Sequence, residues 1–120
     1  MIEIYTDGSS RGNPGPGGYG VVMIHKDKRK ELSQGYNLTT NNRMELLAVI
    51  KALEEVKTDK LKIIIYSDSK YVVESVEKGW IWNWEKKNFI KKQNVDLWKR
   101  FIPLYKKYSI KFIWVKGHDG

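Results

Sequence analysis

Residues 2–7 alternate apolar and polar side chains and predict a strand with Asp7 at its C-terminal end. Gly8 to Gly18 is dominated by glycine, serine and proline and reads as a compact loop. Residues 19–26 and about 30–37 predict two further strands across the charged turn Lys26-Asp27-Lys28-Arg29, and so short a connection makes them antiparallel. Near Asn41 the period changes. Leu46, Val49, Ile50, Leu53 and Val56 fall at offsets of 0, 3, 4, 7 and 10, one face of a helix, while Lys51, Glu54 and Glu55 take the other. The run Leu61 to Ser67 is β-branched and nearly all apolar, as expected of a central strand buried on both faces. A shorter helix should follow from Ser69 to about Glu77. Residues 94–107 carry a third helical pattern, which Pro103 should kink or end. Ile110 to Val115 predicts a last strand.

This order describes a mixed α/β sheet. The helix between the first strand and Ile63-Ile64-Ile65 acts as a crossover that makes those two strands parallel. In open sheets of this class, sites collect at the carboxyl ends of the parallel strands, where Asp7 and Asp68 both stand. With 120 residues and no repeat or linker, we expect one domain around one core.

Composition narrows the chemistry. There is no cysteine, so neither a disulfide nor a cysteine-held zinc site is available. No apolar run nears the roughly 20 residues that cross a bilayer, and Met1 leads straight into a strand rather than a signal segment. We therefore expect a soluble cytoplasmic protein with no membrane partner. The net charge is +8, from 22 Lys and Arg against 14 Asp and Glu. Such an excess favours phosphate-rich partners, because each basic side chain displaces a phosphate counterion. A lysine-rich surface that binds nothing is the alternative.

Three acids stand in short motifs of their own: Asp7 in Tyr-Thr-Asp-Gly-Ser, Glu45 in Asn-Asn-Arg-Met-Glu-Leu, and Asp68 in Tyr-Ser-Asp-Ser-Lys-Tyr. Each has a structural explanation. Asp7-Gly8 is a turn dipeptide, Asp68 could cap the next helix, and Asn42 with Glu45 has capping-box spacing. Together they point elsewhere. Like charges repel and raise one another's pKa, so a fold gathers them against a cation. Carboxylates without a His or Cys cluster suit Mg²⁺ or Mn²⁺. On a basic chain this implies a nuclease core, with metal-assisted phosphodiester hydrolysis.

Other residues are candidates for binding and proton transfer. His118, between glycines after the last strand, could shuttle a proton beside the acids, or be incidental, whereas His25 reads as a surface residue. The glycine-rich loop allows close backbone approach to a phosphate or ribose, yet lacks a P-loop ending. Trp80 and Trp84 are four apart on a predicted helix and share a face, followed by Lys86, Lys87, Lys91 and Lys92. Aromatic surface beside lysines fits a nucleic-acid groove. Packing of the tryptophans against Trp98 is the alternative.

In order along the chain, Thr-Asp-Gly-Ser, Gly-Asn-Pro-Gly-Pro-Gly-Gly-Tyr-Gly, Thr-Thr-Asn-Asn-Arg-Met-Glu-Leu, Ser-Asp-Ser-x-Tyr-Val, Asn-Val-Asp-Leu-Trp and Trp-Val-Lys-Gly-His resemble bacterial type 1 ribonuclease H across essentially all 120 residues. The resemblance implies a ribonuclease H-like fold, with a five-stranded mixed sheet of order 3-2-1-4-5 flanked by helices. It implies cleavage of the RNA strand of RNA/DNA hybrids to 5′-phosphate and 3′-hydroxyl ends, with two Mg²⁺ ions, or Mn²⁺, in the substrate complex. Asp7, Glu45 and Asp68 match the family's first three metal-binding carboxylates, and His118 matches its loop histidine. Asn13, Asn41 and Asn42 match positions that contact the hybrid. Thr40 and Asn83 match a DNA-phosphate pocket, Trp80 and Trp84 the DNA-strand channel, and Lys86 and Lys87 the basic protrusion.

Departures from that pattern change the expectation. Leu38 replaces an Arg common in the phosphate pocket, and the basic protrusion is short. The 120 residues stop at Gly-His-Asp-Gly, before the Asn-Glu-x-x-Asp stretch that carries the family's fourth carboxylate and before its closing helix. We therefore expect a single domain over residues 1–120, shortened at its C-terminus, with the second metal held loosely and slower turnover. The alternatives are a hybrid-binding core that cuts weakly or not at all, or a module completed by a partner in a larger assembly. We expect a monomer without an obligate protein partner.

Overall fold

The structure, a computed structural model, describes residues 1–117. Five strands and four helices follow one another along these residues: β1 (Ile2–Ser10), β2 (Gly15–His25), β3 (Lys28–Thr39), α1 (Asn41–Glu55), β4 (Lys62–Ser67), α2 (Lys70–Glu77), α3 (Trp80–Lys86), α4 (Val95–Lys107) and β5 (Ser109–Trp114). They form one sheet in the order β3-β2-β1-β4-β5, as expected. β1, β2 and β3 pair antiparallel, while β4 runs parallel to both β1 and β5.

The helix period places the core. Leu46, Val49, Ile50 and Leu53 of α1 are all fully buried, in one cluster with Ile4, Val21, Ile63 and Ile65 from the sheet. Trp98 and Phe101 of α4 complete that layer, edge to face with ring centroids 5.6 Å apart. The buried Trp98 indole N–H is spent on the Tyr71 hydroxyl at 2.8 Å, so its burial leaves no polar group unpaired.

Several local expectations are corrected. β1 continues past Asp7 to Ser10, and Gly15 to Gly18 belong to β2 rather than to a loop. Glycine is needed there because Gly17 lies opposite Ser10 so closely that a Cβ would overlap the Ser9 carbonyl oxygen. The β2–β3 turn shrinks to Lys26 and Asp27. Thr40, not Asn42, caps α1 by accepting from the Arg43 amide at 3.2 Å. Ser69, not Asp68, caps α2 through the Val72 amide, also at 3.2 Å. Neither acid is spent on a cap.

α4 runs through Pro103 to Lys107. Pro103 and Lys99, the residue whose carbonyl loses its helical partner, are both exposed, so that carbonyl is not buried without a partner. β4 is buried on one face only: Ile63, Ile65 and Ser67 are covered, while Ile64 and Tyr66 are half-buried. Tyr66 instead stacks on Tyr5, with centroids 4.6 Å apart and planes 7° from parallel. Among the described residues no helix is long and apolar enough to cross a membrane.

Candidate active site

The parallel register of β1 and β4 runs from Ile2 beside Ile63 to Tyr5 beside Tyr66. Continued for two residues, it sets Asp7 against Asp68 at the carboxyl edge of the sheet. α1 lies across this edge, and its second turn adds Glu45. One carboxylate oxygen from each of Asp7, Glu45 and Asp68 lies within 4.8 Å of the other two. The sequence motifs and the fold therefore converge on the same three residues.

Their surroundings differ. Asp7 is exposed and Asp68 half-buried, while Glu45 is 3% exposed. Oε1 of Glu45 accepts the Gly8 amide at 2.8 Å, and Oε2 is buried without a hydrogen-bond partner. Burial, reinforced by the charge of Asp68 and then Asp7, pushes the Glu45 carboxyl up to about 8 against the opposing pull of the Gly8 amide. Leaving a buried polar atom unpaired costs about 1–3 kcal/mol, and more for a charged one. An oxygen-seeking divalent cation would satisfy Oε2 and relieve the crowding of three acids, so the donor set fits Mg²⁺ or Mn²⁺.

Asn41 and Asn42 share the cavity that holds the acids. Oδ1 of Asn41 is already bound by the Ser10 amide at 3.0 Å, which leaves its amide nitrogen to face a ligand. Thr40 lies beside them, with its hydroxyl oxygen acting as the α1 cap. Behind this turn, Arg43 grips Asp96 through two bonds of 3.0 and 2.8 Å. It also donates to Asn94, whose own amide donates to the Tyr71 hydroxyl. The starts of α1, α2 and α4 are thus fixed to one another.

The remaining predicted residues lie outside the acid cavity. Asn13 is exposed in the short β1–β2 connection. Trp80, Asn83, Lys86 and Lys87 are exposed on α3 and its end, and Lys78 places its ammonium 5.4 Å from the Trp80 ring centre. Trp84 is half-buried, edge-on to Trp98 at 5.9 Å, so it joins the core as much as any groove. His118 lies outside the described residues. The Gly8–Ser9 end of the glycine-rich segment lines the cavity as expected, and four further lining residues were not anticipated: Ser69, Lys70, Tyr71 and Trp114. Trp114 at the end of the last strand is the one that a strand-end argument could have found.

Known proteins resemble this chain in sequence and fold. The family profile described as RNase H matches residues 1–120. The chain is 54% identical over 119 residues to a protein of Helicobacter pylori strain J99 named Ribonuclease HI, covering 99% of this chain and 82% of that one. It is 52% identical over 124 residues to a Ribonuclease H of Desulforamulus reducens, covering 99% and 77%. Among solved structures it superposes on LC9-RNase H1, described as a type 1 RNase H with the type 2 active-site motif, with a TM-score of 0.85 at 27% identity, covering 99% of this chain and 64% of that one. It also matches LC11-RNase H1, solved in complex with RNA/DNA hybrid, with a TM-score of 0.73 at 29% identity, covering 97% and 86%. The chain belongs to the RNase H family.

Proposed function

We propose that this chain, as one domain spanning residues 1–120, hydrolyses the RNA strand of RNA/DNA hybrids and leaves 5′-phosphate and 3′-hydroxyl ends. The observation that carries the reading is the meeting of Asp7, Glu45 and Asp68 within 4.8 Å, with a buried Glu45 oxygen left unpartnered. Family membership and the likeness to a hybrid-bound relative support the choice of substrate.

Asp7, Glu45 and Asp68 would hold divalent metal, Mg²⁺ with Mn²⁺ as a substitute. Two such ions, when bound, supply charge stabilisation for the attacking and leaving oxygens of a phosphodiester. The Gly8 amide holds Glu45 in place, so the carboxylate needs no reorganisation when substrate arrives. Asn41 and Asn42 contact the hybrid at the acid cavity, and Asn13 contacts it from the β1–β2 connection. Thr40 and Asn83 grip a DNA phosphate, and Trp80 and Trp84 line the DNA strand. Lys86 and Lys87 add salt-sensitive affinity. His118 moves a proton at the leaving oxygen or aids product release. The protein works as a cytoplasmic monomer.

The test is an end-labelled hybrid incubated with the chain in Mg²⁺, in Mn²⁺ and in chelator. Metal-dependent cutting confined to the RNA strand, with 3′-hydroxyl products, is expected. Cutting that survives chelation, or that falls on the DNA strand, contradicts the reading.

A further inference from the structure

Lys70 is the basic side chain on the wall of the cavity that holds Asp7, Glu45 and Asp68. It opens α2 two residues after Asp68 and is exposed. With three carboxylates so near, an ion pair would be the default. Among the described residues Lys70 forms none. Its ammonium lies over the Trp114 ring instead, 5.1 Å from the centre.

Trp114 is itself fixed relative to the acids. Its indole N–H donates to the Asp68 carbonyl at 3.2 Å, and the next residue, Val115, donates its amide to Ser67 at 2.9 Å. Trp114 is 44% exposed and Lys70 is exposed too, so the pair sits at the protein surface. A cation held this way is bound weakly compared with one in a charge-assisted bond to phosphate. An incoming phosphate can therefore take it.

A polyanion that enters this cavity meets three carboxylates first. Metal compensates the reacting phosphate, but its neighbours along the strand still pass the acidic wall. We propose that Lys70 is a positioning residue for the strand being cut: its ammonium leaves the Trp114 ring and binds a backbone phosphate beside the reacting one. This inference rests on the hydrolytic reading of the site. A contact made equally before and during reaction lowers KM and leaves kcat unchanged. Each phosphate contact also contributes about 0.7–0.9 to the slope of log affinity against log salt.

The experiment compares the unaltered chain with Lys70→Met and Lys70→Arg. Hybrid binding is titrated against salt in chelator, and steady-state cleavage is measured in Mg²⁺. Lys70→Met should lose about 0.7–0.9 of the salt slope and raise KM severalfold at constant kcat, with Lys70→Arg restoring both. Equal melting curves for the three proteins are expected, because Lys70 is exposed. A Lys70→Met protein that keeps the salt slope and KM of the parent overturns the inference while leaving the hydrolytic reading intact. A parent chain that neither binds nor cuts hybrid overturns both.

Discussion

The amide of Gly8 donates to Oε1 of Glu45 at 2.8 Å, tying the strand that carries Asp7 to the helix that carries Glu45. The approach is so close that a Cβ on Gly8 would lie 2.5 Å from the Met44 carbonyl carbon and 2.6 Å from the Glu45 amide nitrogen. Both are backbone atoms, so neither can swing aside.

Gly8→Ala should therefore push α1 off the sheet edge. Overpacking of this kind costs about 1–3 kcal/mol. Denaturant melts should show that loss, and calorimetric titration should show Mg²⁺ affinity falling with it. An alanine variant with parental stability and metal affinity would mean that the strand and helix are not held together here.

The pH dependence of stability follows from Glu45. Its carboxyl is raised from 4.5 to about 8 in the folded protein. Between those values the native state holds a proton that the unfolded chain has released, so metal-free stability falls as pH rises through that window. A tenfold difference in proton affinity between the two states corresponds to about 1.4 kcal/mol. Melts in chelator from pH 5 to 9, run on the parent and on Glu45→Gln, isolate the effect. The parent should lose stability across the window and the Gln variant should lose much less. Added Mg²⁺ should stabilise the parent more at the alkaline end, where the carboxylate is already ionised.

Lys91 has a φ of 59°, in the left-handed region, and its side chain is exposed. A non-glycine residue pays about 1–2 kcal/mol for that conformation. Lys91→Gly should raise stability by about 1 kcal/mol, read as a higher denaturant midpoint at unchanged slope. Asn94, at φ 61°, should not respond the same way, because its side chain bonds both Arg43 and Tyr71.

Lys86 and Lys87 are exposed at the end of α3, away from the acids. Replacing both with alanine should weaken hybrid binding and lower its salt slope by up to about two. The cleavage rate at saturating hybrid should hold. A fall in that rate without a change in slope would place these lysines in the chemistry instead of in binding.

Much of this site was legible because its residues lie at positions that local pattern marks. Asp7 ends an alternating run and Asp68 follows an apolar one, and the helical period that begins near Asn41 carries Glu45 inward. Parallel pairing of β1 with β4 then brings them together without further information. Local pattern failed where distant contacts decide. Glycine in β2 reads as loop until its close approach to β1 is known. Pro103 reads as a helix end until its exposure is known. The Asn42–Glu45 spacing resembles a capping box, but the Gly8 amide reaches Glu45 from β1 instead. Lys70 and Trp114 meet only because Ser67 pairs with Trp114 in the β4–β5 register.

The most direct test compares RNA-strand cleavage by the parent chain with Asp7→Asn, Glu45→Gln and Asp68→Asn, using saturating hybrid in Mg²⁺. Each substitution removes a carboxylate charge while keeping the side chain's shape. Each variant should still bind hybrid in chelator, and each should lose at least about a hundredfold in cleavage rate, as expected when groups that act as a unit are broken. Retention of the parental rate by any one of the three would contradict the claim that these acids form a single metal-binding centre.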